Sequence, residues 1–151
     1  MIVSDSTTLI ILFDMNRVEL LYNLFQKIYL PRSVYDEINF KNELKLPHYM
    51  EVVSLQESEL LHSLNLLLDR GESKAIALAK ERGLPLIIDE KKGRKIAQNM
   101  DIRIIGLLGI IYLNIKKDLI TREEAQLFLD TAITKGYRIH QKLIHDMFQS
   151  L

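Results

Sequence analysis

Two aspartates stand directly behind runs of β-type residues. Asp5 follows Ile2-Val3-Ser4, and Asp89 follows Leu86-Ile87-Ile88. In an open parallel sheet, ligand sites form beyond the carboxyl ends of the strands, so both side chains are expected at the same edge. Carboxylates held side by side are a way to bind a hard cation such as Mg²⁺ or Mn²⁺ through oxygen. Two further acids are candidates for the same cluster: Glu37, on a helix after the second strand, and Glu72, at the start of the helix before the apolar strand. Carboxylates crowded this way repel one another, and a cation or raised pKa values must relieve that repulsion. A bound divalent cation makes water a better nucleophile and stabilises charge on a phosphoryl group. This chemistry hydrolyses a phosphodiester without a histidine or serine nucleophile.

Each acid also has an ordinary structural reading. Asp5 and Asp89 could cap the helices that follow them. Glu37 could be a solvated helix acid, and Glu72 a first-turn residue favoured by the helix dipole. Lys91, Lys92, Arg94 and Lys95 follow Asp89 closely. They form either a solvated basic face or, beside an acidic metal site, contacts to the phosphates of RNA. Ser6 offers a supporting hydroxyl, though helix capping explains Ser6, Thr7 and Thr8 equally well. The four histidines are scattered, and His140 and His145 are not spaced to share one helical face, so all four read as structural or surface residues.

The elements that must position these groups alternate. Strands are expected at residues 2–4, 27–30, 52–53, 84–88 and 102–105. Helices are expected at 7–13, 18–25, from Pro31 through Ile38, at 57–69, 72–82, 91–98, 109–116, 121–134 and 140–149. Leu60, Leu61, Leu64, Leu67 and Leu68 read as one broad apolar face, with Gly71 as a breaker and Gly83 as a C-cap. Thr121-Arg122-Glu123-Glu124 has the form of a capping box. Alternation of this kind implies an α/β domain with three α/β/α layers, right-handed crossovers and a central parallel sheet of four or five strands.

Composition narrows the function. The chain has 151 residues, 48% of them hydrophobic, which suits one domain with a full core. The absence of cysteine excludes disulfides, thiolate catalysis and cysteine zinc sites, and fits a reducing, cytoplasmic setting. The first residues show no basic region before an apolar run, so no signal peptide is expected, and no apolar stretch is long enough for a bilayer. Formal net charge is zero, yet residues 1–70 carry 6 of the 20 Lys+Arg and 10 of the 20 Asp+Glu. The second half is therefore the more basic, and a local basic face there is compatible with nucleic acid.

Four segments in colinear order resemble the PIN-domain family: Ile-Val-Ser-Asp-Ser at 2–6, Leu-Pro-Arg-Ser-Val-Tyr-Asp-Glu-Ile at 30–38, Asp-Arg-Gly-Glu-Ser-Lys-Ala-Ile-Ala-Leu-Ala at 69–79, and Leu-Ile-Ile-Asp-Glu-Lys-Lys-Gly-Arg at 86–94. The branch with a Gly-Glu-Xaa-Xaa-Ala-Ile motif, a prokaryotic group, is the most similar. The resemblance is best over residues 1–120 of a single PIN-like domain spanning 1–151, with 121–151 as a helical C-terminal extension. It implies an Mg²⁺- or Mn²⁺-dependent ribonuclease whose metal-binding acids are Asp5, Glu37, Glu72 and Asp89, with Ser6 in support. It also implies RNA as substrate, a cognate antitoxin protein as partner (many relatives are toxins of toxin–antitoxin pairs), and a homodimer. The sequence departs from the family pattern in two places. Many PIN domains place Asp at the position of Glu72, and relatives often carry Gly-Thr where this chain has Gly106-Leu107. The second departure motivates an alternative, a catalytically inactive PIN-like module that binds nucleic acid or protein. A receiver-like phosphoacceptor domain ranks lower, because there is one acid after the first strand and no lysine at Ile105-Gly106-Leu107.

Overall fold

A computed structural model describes residues 1–151. The chain runs β1 (Ile2–Ser4), α1 (Ser6–Asp14), α2 (Glu19–Tyr22), β2 (Ile28–Pro31), α3 (Arg32–Ile38), β3 (Met50–Val53), α4 (Glu59–Asn65), α5 (Arg70–Arg82), β4 (Leu86–Ile87), α6 (Lys91–Asn99), β5 (Ile104–Ile105), α7 (Leu107–Lys116), α8 (Arg122–Thr134) and α9 (Gln141–Gln149). The five strands form one parallel sheet in the order β3-β2-β1-β4-β5.

The alternation of side chains along each strand feeds two separate cores. Ile2, Ile28, Leu30 and Ile87 point into a larger core with α1, α2, α3, α7, α8 and α9. Val3, Leu86 and Ile88 point into a smaller one with α4, α5 and α6. Helices thus cover both faces, which is why the strands are apolar without a polar alternate. The chain leaves β1 toward β2 and β3, then returns across α5 to β4 on the other side. The order reverses between β1 and β4, and the crevice of an open parallel sheet opens at that point. The receiver-like alternative fails here, since its order would be 2-1-3-4-5.

Several local expectations shift. The sequence pattern predicts strand 84–88; the strand itself is Leu86–Ile87, although the Pro85 carbonyl still accepts from the Val3 amide and the Ile88 amide donates to the Ile105 carbonyl at its two ends. The expected helix 57–69 is shorter, ending at Asn65, so its leucines do not share a face. Leu61, Leu64 and Leu68 are buried, whereas Leu60 and Leu67 are exposed. Gly71 does not break a helix but lies in the first turn of α5, where Asp69 is the N-cap and accepts a hydrogen bond from the Glu72 amide at 2.8 Å. Pro31 closes β2 and precedes α3 rather than lying inside it. Gly83 caps α5 with φ of 64°, and Thr121 and Glu124 form the reciprocal capping box that starts α8. The residues expected as an extension pack into the larger core through Phe128, Leu129, Ile144 and Met147.

Candidate active site

β1 ends at Ser4, so Asp5 begins at the sheet edge and enters the crevice. Its backbone is extended, and its side chain makes no capping hydrogen bond to α1. Asp89 does not cap α6 either: Glu90 does, accepting from the Gly93 amide at 2.8 Å. Neither aspartate side chain caps the helix that follows it.

Asp89 is fixed by neighbours from other elements. Its Oδ1 accepts from the Leu107 amide at 3.0 Å, the first amide of α7, and its Oδ2 accepts from the Thr8 hydroxyl on α1. Gly106, the N-cap of α7, has no side chain of its own to offer, and Asp89 takes that place from β4. A Cβ at Gly106 would lie 2.5 Å from Asp89 Oδ1 and 2.8 Å from Arg94 Nη1, so glycine is needed for this approach.

Glu37, on α3, and Asp5, directly after β1, meet around Gly71. A Cβ at Gly71 would stand 3.3 Å from Glu37 Oε1, 3.7 Å from Asp5 Oδ1 and 3.7 Å from Asp69 Oδ1. Glycine leaves that space open. Glu72, next in the chain, is 8% exposed and Asp5 is 4% exposed, whereas Glu37 and Asp69 are exposed. Burial is the largest cause that raises the Asp5 carboxyl from 3.8 to about 7; the Ser6 backbone amide opposes it, and the charges of Asp69, Glu37 and Asp89 add to it. Glu72 rises from 4.5 to about 7, first through burial and then through Asp69, Asp5 and Glu90, with the Asp69 backbone amide opposing.

The structure thus brings Asp5, Glu37 and Glu72 into one electrostatic unit, with Asp89 beyond the end of the adjoining strand. Asp69 belongs to the same unit and was not singled out by the sequence pattern; its signal was the N-cap position three residues before Glu72. Ser6 is buried, but the hydroxyl that reaches an acid is Thr8's, two residues later in the Asp5-Ser6-Thr7-Thr8 run. Gly106-Leu107 carries no hydroxyl at the end of β5, and Thr8 supplies one to Asp89 from α1. Of the basic residues, Lys91, Lys92 and Lys95 are exposed and Arg94 is half-buried. Shallow depressions at the α7–α8 turn and at the N-terminus of α4 lie away from all of these groups.

The donor set is made of carboxylate oxygens, the chemistry that suits Mg²⁺ or Mn²⁺. As the side chains stand, no three acids are grouped closely enough to hold one metal ion. The acids are close enough to perturb one another.

The model of one protein family, described as a PIN domain, matches residues 1–151. No curated protein and no solved structure matches the chain. No helix is long and apolar enough to cross a membrane.

Proposed function

The chain belongs to the PIN-domain family, a nuclease-type fold, and from that premise we propose that it is an Mg²⁺- or Mn²⁺-dependent endoribonuclease acting as the toxin of a toxin–antitoxin pair in the cytoplasm. The observation that carries this reading is the meeting of Asp5, Glu37 and Asp69 oxygens around the open space at Gly71, beside Glu72 and at the reversal point of the sheet. Asp5 and Glu72 are buried among these acids and raised toward neutrality, so at neutral pH their charge costs the fold stability.

In this reading Asp5 and Asp89 hold the cation directly, Glu72 holds it or orients the attacking water, and Glu37 completes the set. The bound cation would supply charge stabilisation at the phosphate and a water of lowered pKa. Asp89 keeps its orientation through the Leu107 amide and the Thr8 hydroxyl. Asp5 and Glu72, buried and crowded, bind a cation in exchange for the protons that otherwise relieve their repulsion. Lys91, Lys92, Arg94 and Lys95 lie on the α6 side of the site, where an RNA backbone would run.

The test is calorimetric titration of Mn²⁺ into the protein and into the Asp5→Asn/Asp89→Asn variant, followed by incubation of both with total RNA. The reading requires the wild type to bind metal and cut RNA, and the variant to do neither. Cleavage that survives the double substitution would overturn it. A second reading, a module that grips a partner without catalysis, is favoured by the spacing of the acids, which hold no ion as they stand. A wild type that neither binds metal nor cuts RNA selects that reading.

A further inference from the structure

Resting on the nuclease reading, we propose that Arg94 contacts the scissile phosphate of the RNA strand, a role distinct from that of the three exposed lysines of α6. Arg94 is the one basic residue of that helix drawn back toward the sheet. Gly93 makes this possible: a Cβ there would lie 2.7 Å from Ile88 Cδ1, so α6 rests directly on Ile88. From that position Arg94 Nη1 donates to the Ile88 carbonyl at 2.9 Å.

The carbonyl anchors one edge of the guanidinium and leaves the rest of its donors unused. A guanidinium carries five N–H groups in a fixed fork, suited to bidentate phosphate recognition. Arg94 forms no ion pair, although Asp89 stands beside it across Gly106. Asp89 is instead satisfied by the Leu107 amide and Thr8. A half-buried, unpaired cation anchored next to a metal-site carboxylate is placed to receive an anion that arrives at that carboxylate. The N-terminal end of α7, ten residues long, adds its dipole at the same point. Lys91, Lys92 and Lys95 point into solvent and supply only general attraction to the backbone.

The experiment compares wild type with Arg94→Ala, Arg94→Lys, Lys91→Ala and the remote control Lys142→Ala. Binding of a fluorescent single-stranded 12-nucleotide RNA is read by anisotropy in Ca²⁺ over a range of salt, with the RNA checked intact on a gel. Cleavage is read at saturating RNA in Mn²⁺. The proposal expects Arg94→Ala to weaken binding about tenfold to a hundredfold and to flatten the slope of log K against log salt by about 0.7. It also expects a fall in the saturated cleavage rate. Arg94→Lys retains the salt slope, because the charge remains, but keeps the low cleavage rate, because the fork is gone. Lys91→Ala flattens the slope, and the remote Lys142→Ala changes neither the slope nor the saturated rate. An Arg94→Ala protein with wild-type affinity and salt slope overturns the proposal, as does an Arg94→Lys protein that cleaves at the wild-type rate. If Arg94→Ala does not fold, the Arg94→Lys arm decides alone. A wild type that binds RNA without cutting it removes the nuclease reading while the binding arms still judge Arg94; a wild type that binds no RNA overturns the proposal.

Discussion

Asp5→Asn replaces a buried acid by a neutral side chain of the same shape, and its effect on stability depends on pH in a way the structure dictates. The Asp5 carboxyl is raised from 3.8 to about 7, through burial first and then through its acidic neighbours. A carboxyl whose folded value is raised takes up a proton more readily when folded than when unfolded. Its stabilising contribution is complete below about pH 4 and is lost as pH rises through about 7. The full difference corresponds to about 4 kcal/mol at about 1.4 kcal/mol per pK unit. At pH 5 the unfolded acid is already ionised while the folded one is not, and the cost there is about 2 kcal/mol by the same conversion. Metal-free Asp5→Asn is therefore expected to be more stable than wild type, by a margin about 2–3 kcal/mol larger at pH 8 than at pH 5. Urea unfolding in EDTA at the two pH values measures it. For a domain of this size the extra margin is about 5–10 °C in Tm. Saturating Mn²⁺ is expected to erase the margin, because the ion takes over the role of the proton in the wild type and has lost a ligand in the variant. A margin that does not change with pH, or a wild type more stable at pH 8 than at pH 5 relative to the variant, would refute the claim that Asp5 is a strained acid.

Three further outcomes follow from the geometry. Gly106→Ala puts a methyl group 2.5 Å from Asp89 Oδ1 and 2.8 Å from Arg94 Nη1. It should cost about 1–3 kcal/mol in a thermal melt, as overpacking does, and should weaken Mn²⁺ binding in calorimetry. Thr8→Val keeps the shape but leaves Asp89 Oδ2 without its hydroxyl partner; a loss of about 1–3 kcal/mol is expected, and Thr8→Ser should restore both stability and cleavage rate. Gly71→Ala fills the space between Glu37, Asp5 and Asp69 in an ordinary helical position. The fold should hold or gain up to about 1 kcal/mol from helix propensity, while Mn²⁺ affinity falls at least about tenfold, the loss of one coordinating contact; unchanged affinity would show that the ion does not use that space.

Much of this molecule was legible from residue order. Short apolar runs alternating with helical ones were enough to expect a parallel sheet with helices on both faces, because such strands have no polar face to offer water. Asp5 and Asp89 could be placed at one edge by a rule of chain direction alone: each follows a strand, and parallel strands end on the same side. The capping box at Thr121 and the cap at Gly83 are local, so they too were readable. What residue order left open is whatever depends on which strands become neighbours. Asp69 joins the acids because α5 crosses β1 and β2 on its way to β4. Thr8 reaches Asp89 because β1 pairs with β4, Val3 against Leu86 and Ser4 against Ile87, a separation no local pattern spans. Whether a leucine of α4 is buried or exposed turned on where that helix ends, and whether Gly71 and Gly106 break helices or admit carboxylates turned on what stands opposite them. Periodicity and turn chemistry act over a few residues. The site is made by contacts between side chains that are distant in the chain, and only the packing of the two layers against the sheet decides those.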